Sequence, residues 1–238
     1  MKRCETLKIL IVLSIAFLLC SCSSQQQKIP GTNLDEKFFE LNHATLQAPT
    51  LTFSEMEKQI GQFNKYIGSY PPRFTSESER EAVYKNWLAL VVEAEAFNSA
   101  NPGTEQSLYL LSELYRQGHN MDVRGSAEKA LKNLDSCLSA FEYSVPCNFS
   151  ASYFYLSIGP EYLDKAQSSL DALKLHYAPN LNDEVEAGYV FLYLYRQNVP
   201  MAKKQISSFI ANFPNSSRVT AFTDIRDNLG ETIEWKKQ

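Results

Sequence analysis

Histidine is scarce in this 238-residue chain, with only His43, His119 and His176, far apart from one another. None belongs to a His-Glu-x-x-His spacing, which would put two imidazoles and a general base on one helical face. A glycine-rich phosphate loop is missing too, and no Cys-x-x-Cys offers dithiol chemistry. Glu93 and Glu95 are two residues apart and diverge around a helix, while Glu77, Glu79 and Glu81 suit a helix start. We therefore expect no catalytic residues, no metal site, no cofactor and no enzymatic activity. Basic charge is in the minority, 23 Lys+Arg against 27 Asp+Glu for a net charge of −4. Nucleic acid and anionic lipid both call for a basic field, so neither is an expected ligand. The apolar run Leu10–Leu19 is about half of what a membrane-spanning helix needs.

What that short run does have is context. Lys2, Arg3 and Lys8 precede it, and Cys20-Ser21-Cys22-Ser23-Ser24 follows, the pattern of an export signal. With Leu19 three positions before Cys22 and small Ser21 directly before it, the segment resembles the bacterial lipoprotein signal. The resemblance implies removal of residues 1–21 and lipidation of Cys22 as the first mature residue. Cys20 matches less well, because Leu19 stands where a small side chain belongs. Ser23 after the cysteine, where Asp would imply inner-membrane retention, implies an outer-membrane anchor with the body on the periplasmic face. Residues 22–50 are expected to be the lipidated cysteine and a flexible tether, rich in Ser, Gln, Pro and Gly over 23–33.

From residue 51 to 238 the pattern is helical. Thr52 with Glu55 three residues on forms a capping signature for a helix reaching about Tyr66. Ser76 opens a longer one whose Val83, Trp87, Leu90, Val91 and Ala94 recur at helical steps until Asn101-Pro102-Gly103. Further helices are expected at 104–117, 124–142, 149–158, 161–176, 182–196 and 200–212, with a capping helix at 217–229. Gly188–Tyr195 alternates as a strand does, but its acidic lead-in favours a helix.

Two of these segments resemble each other. Ala166, Leu170, Leu173 and Pro179 have counterparts in Ala202, Ile206, Phe209 and Pro214, with the alanines 36 residues apart. Leu90, Ala94, Phe97 and Pro102 form an earlier echo. Together with Tyr189 and Tyr193, the later set resembles the tetratricopeptide repeat family, although Glu186 stands where the family usually has Trp and Val190 where it has a small residue. The resemblance covers roughly 80–214, with a stretched copy around 104–146. It implies an all-α fold of antiparallel helix pairs stacked as a short right-handed superhelix with a concave groove. Asn212-Phe213-Pro214-Asn215-Ser216-Ser217 also looks like a turn in tetratricopeptide lipoproteins that serve outer-membrane β-barrel assembly.

On a helical projection Tyr189, Leu192, Tyr193 and Arg196 share the expected core side. Phe191, Leu194 and Tyr195 point elsewhere and, with Tyr153 and Tyr155, are the expected lining of a partner groove; packing between repeats is the alternative use of the same rings. Cys137 and Cys147, ten residues apart around Val145-Pro146, can pair in an oxidising envelope, with buried free thiols as the alternative. The expected function is an outer-membrane-anchored scaffold that binds a protein partner, in barrel assembly as its leading version. Solute-uptake accessory, envelope maintenance and surface ligand binding are the alternatives.

Overall fold

A computed structural model describes residues 48–230; the export signal, Cys22 and nearly all of the tether lie outside them. Among the described residues there are nine α-helices, one 3-10 turn and no strand: α1 (Phe53–Ile67), α2 (Glu77–Ala100), α3 (Glu105–Asn120), α4 (Ser126–Ala140), α5 (Val145–Ile158), the turn Pro160–Tyr162, α6 (Leu163–Tyr177), α7 (Asp183–Tyr195), α8 (Val199–Asn212) and α9 (Val219–Asn228). The all-α class read from the sequence is the observed one, and Gly188–Tyr195 is helical. No helix among them is long and apolar enough to cross a membrane.

Helix starts follow local chemistry. The Thr52 hydroxyl accepts from Glu55 N while the Glu55 carboxylate accepts from Thr52 N at 2.8 Å, completing a capping box. Ser76, Thr104, Asn182 and Asn198 cap α2, α3, α7 and α8 in the same way, each accepting from the backbone three residues on. Pro146 and Pro200 sit in first turns, where a missing N–H costs nothing. Val145-Pro146, expected as a turn, therefore opens α5, and the reversal falls on 141–144.

The chain forms two compact units, 48–150 and 151–230, with α5 running through the division. In the first, α1 packs on both α2 and α3, α2 packs on α3, and α4 lies along α3. Met56, Ile60, Phe63 and Ile67 make the buried stripe of α1. Trp87 is fully buried and its indole N–H donates to Leu114 O at 2.9 Å. Gly118 is required here: a Cβ would come within 2.6 Å of Ser126 Oγ and 2.7 Å of Trp87 Cζ2. In the second unit α6, α7, α8 and α9 pack in chain order. Gly188 serves the α6–α7 contact, since a Cβ there would meet Leu170 Cδ2 at 2.5 Å.

A small-large-large stripe recurs on α4, α6 and α8. Ala130, Leu134 and Cys137 on α4, Ala166, Leu170 and Leu173 on α6, and Ala202, Ile206 and Phe209 on α8 are all essentially inaccessible. Their spacing is identical, and 36 residues separate Ala130 from Ala166 and Ala166 from Ala202. Each alanine lets a neighbouring helix approach, and the two larger side chains fill the next layers.

Replacing Ala166 or Ala202 by Leu should overpack these contacts and cost about 1–3 kcal/mol in urea unfolding. Ala211→Leu, on the exposed side of α8, should stay within about 0.5 kcal/mol of the parent. Equal, silent behaviour of all three would refute the close-approach argument.

Candidate interaction surface

The aromatic residues expected to line a groove lie mostly inside the second unit. Leu194 is only 6% exposed and belongs to a cluster with Val190, Ala202, Ile206, Phe209 and Phe222. Phe191 packs on that cluster with its ring edge-on to Phe222, centroids 5.7 Å apart. Tyr155 is 1% exposed and stacks on Tyr162 at 5.9 Å, with Lys165 Nζ 5.5 Å from its ring. Leu194 and Tyr155 are interior packing, and Phe191 is partly buried against the Leu194 cluster. The reason is that α7 has α6 on one side and α8 on the other, so Val185–Val190 are buried without interruption.

Tyr153 is half-buried, and its hydroxyl donates to Glu184 O at 2.7 Å. The Glu184 carboxylate in turn accepts from Arg218 at 2.8 Å. Tyr195 is half-buried and has no hydrogen-bond partner among the described residues; burial alone pushes its hydroxyl up to about 12. Of the core set, Tyr189 and Leu192 are buried, while Tyr193 and Arg196 are partly exposed, Arg196 reaching Asp164 and Gln167.

Cys137 and Cys147 are joined as a disulfide, with Cα atoms 6.4 Å apart, both sulfurs buried beside Leu108. It fastens the end of α4 to the first turn of α5. His119 is held below its usual range by burial, against the opposing pull of Asp122 and Glu128. His176 is exposed. Among the described residues no group of three or more His, Cys, Asp or Glu is placed to hold a metal.

A polar stripe on α3 went unread in the sequence. Glu113, Arg116, Gln117 and Asn120 follow i, i+3, i+4, i+7 spacing, which puts them on one face. Arg116 donates to Gly68 O at 2.8 Å, Gln117 to Ile60 O at 3.0 Å, and Asn120 to Ile67 O at 2.9 Å. Two carbonyls at the C-terminal end of α1, those of Ile67 and Gly68, are thus satisfied from a neighbouring helix, and a third bond reaches Ile60 O at mid-helix. Glu113 accepts from Arg116 at 2.7 Å and from the Ser150 hydroxyl. Burial alone would raise its carboxyl, but the Arg116 charge and these hydrogen bonds prevail and hold it below its ordinary value of 4.5.

The donors of the stripe are spent inside the protein, although Gln117 Oε1 is buried with no hydrogen-bond partner among the described residues; the other side of α1 is more open. A cleft of about 310 Å³ opens between α1 and α2. Gln59, Gln62 and Phe63 line it from α1, Asn86, Ala89, Leu90 and Glu93 from α2, and Leu51 completes the lining. Phe63 and Leu90 are buried. Gln59, Gln62 and Asn86 have side-chain amides with no hydrogen-bond partner among the described residues. Glu93 differs, accepting from Thr50 N at 2.7 Å, Thr50 Oγ1 at 2.8 Å and Leu51 N at 3.2 Å. Burial works against its charge, but these bonds outweigh it and keep the carboxyl below the usual carboxylate range.

No protein-family model, curated protein or solved structure matches the chain.

Two outcomes test this geometry. Glu113→Gln leaves Arg116 buried without its counter-charge and should cost about 3–5 kcal/mol in urea unfolding. Because the folded carboxyl lies below 4.5, its stabilisation is fully present above that pH and is lost as pH falls through the folded value. The parent should therefore lose stability over that acid window and the variant should lose less of it. Secondly, the double substitution Cys137→Ala and Cys147→Ala should cost roughly 2–4 kcal/mol. In the parent, maleimide should reach these sulfurs only after reductant and denaturant are both present.

Proposed function

We propose that the protein is a lipid-anchored scaffold of the bacterial outer membrane, with a tetratricopeptide-like body that recruits a protein partner on the periplasmic side. The observation that carries this reading is the buried alanine-apolar-apolar stripe recurring at residues 130, 166 and 202. Helix pairs stacked on such stripes form extended surfaces for polypeptide recognition, with no need of a catalytic centre. Within the α7–α8 pair, Tyr189, Tyr193, Ala202, Ile206, Phe209 and Pro214 keep the family's spacing. Glu186, in place of the usual tryptophan, is buried and accepts from the Gln205 amide at 2.6 Å, with Lys174 Nζ 3.8 Å away. That local compensation accommodates the departure from the pattern.

The anchor rests on Leu19-Cys20-Ser21-Cys22 and the tether after it. Two acyl chains hold a protein at a bilayer without a basic surface, in keeping with an acidic composition. The Cys137–Cys147 disulfide supports an oxidising compartment such as the periplasm. Service in β-barrel assembly is the leading version of the role, on the strength of the Asn212–Ser217 turn.

The test has two arms. Metabolic labelling with palmitate and membrane fractionation should mark the parent and lose both signals in Cys22→Ser; a label retained by that variant removes the anchor assignment. In-cell crosslinking followed by affinity capture should recover barrel proteins and their assembly factors. Recovery of a transporter's periplasmic component instead would transfer the scaffold to solute uptake.

A further inference from the structure

The chain approaches α1 beside α2, and carboxylates hold its backbone there. Glu93, within α2, accepts from Thr50 N at 2.7 Å, from Leu51 N at 3.2 Å and from the Thr50 hydroxyl at 2.8 Å. The next amide, Thr52 N, donates to Glu55 of α1 at 2.8 Å. Three consecutive N–H groups ahead of α1 thus have charged acceptors, the stronger kind of hydrogen bond. Apolar burial adds little, since Ala48, Thr50 and Thr52 are exposed and Pro49 and Leu51 are half-buried. What fixes residues 50 and 51 is mainly one side chain, 42–43 residues away in sequence.

We propose that Glu93 is a positioning residue that clasps the junction between anchor and body, holding residues 50–51 on α2 and shielding the backbone there from proteases. The clasp rests on the lipid-anchored reading, under which residues 50–52 lie on the one covalent path from Cys22 to the helices. A single cut there would free the whole body from the membrane. Proteases act on chain that has opened, at a rate set by the population of the open form. They also take a substrate as an extended strand, through its backbone hydrogen bonds, and the Thr50 and Leu51 amides are already in use. Burial works against the charge of Glu93, but these bonds outweigh it and keep the acceptor ionised at neutral pH.

The clasp is separable from the helix that follows it. The buried stripe of α1 begins at Met56, and the Thr52–Glu55 capping box starts the helix without help from Glu93. Loss of Glu93 should therefore open the junction locally and leave α1 folded, an event far smaller than unfolding of the unit. Leu51 and Phe53 then become sites for an enzyme that cuts after large apolar residues.

The decisive experiment treats the purified full chain in detergent with chymotrypsin and follows cleavage after Leu51 and Phe53 by mass spectrometry. Both cuts should be about tenfold faster in Glu93→Ala than in the parent, at an unchanged urea midpoint. Glu93→Gln, which keeps one acceptor oxygen but no charge, should fall between them. Glu81→Ala, an exposed position on the same helix, should match the parent. Deuterium exchange at the Thr50 and Leu51 amides should be slowed in the parent and lose that protection in Glu93→Ala. Equal cleavage and exchange in parent and Glu93→Ala would overturn the proposal, as would faster cleavage at every site alike with a lowered urea midpoint. The same digestion on membranes separates the two ideas. Release of the body only after the cut supports both, whereas a body already soluble before it sinks the anchor and leaves the clasp.

Discussion

Close approach of helices at a small residue is the constraint on which the repeated part of this protein depends. Ala130, Ala166 and Ala202 occupy one point in three successive helix pairs, and none has measurable exposure. A bulkier side chain there would hold the helices apart, and the layers filled by Leu134, Leu170 and Ile206 would open with them. Gly118 and Gly188 allow close approaches of their own, to Ser126 and Trp87 and to Leu170. The 36-residue interval is the outcome: two helices of 13–16 residues and two short connections return the chain to the next contact.

Much of this was legible in the amino-acid order, because helix caps and apolar spacing are local signals. Thr52, Ser76 and Asn198 start helices where their chemistry says they should, and the relation between Ala166 and Ala202 is visible at the level of residue type. The stretched copy around 104–146 is visible as a whole, but its stripe at Ala130, Leu134 and Cys137 is not. Its third position is Cys137, a residue read first for disulfide chemistry, and no proline closes that pair. Leu90, Ala94 and Phe97, the earlier echo, precede Ala130, Leu134 and Cys137 by 40 residues and not by 36, which hides the register. The burial of Leu194 has a different origin. A helical projection of α7 separates its sides but does not say how many are covered, and in the stack both flanks are.

Two polar sets on and around α1 illustrate how the same residue types serve opposite ends. Arg116, Gln117 and Asn120 are largely buried and spend their donors on backbone carbonyls of α1 and its C-cap, fixing one arrangement of α1 against α3. Their value lies in specificity as much as in stability, since an equally large apolar contact would tolerate sliding. Gln59, Gln62 and Asn86 have similar chemistry but open surroundings and no internal obligation. Neither set was separable by composition alone; what distinguishes them is which neighbouring helix turns its backbone ends toward them.

The third position of the stripe holds cysteine, leucine and phenylalanine in turn, at 137, 173 and 209. The first and the last are completed by something the others lack: a covalent bond to Cys147 for Cys137, and a near-perpendicular ring from Phe222 for Phe209. The three junctions share a plan but not a shape. Units of this kind are not interchangeable parts, and duplicating or reordering them would mate surfaces of unequal volume.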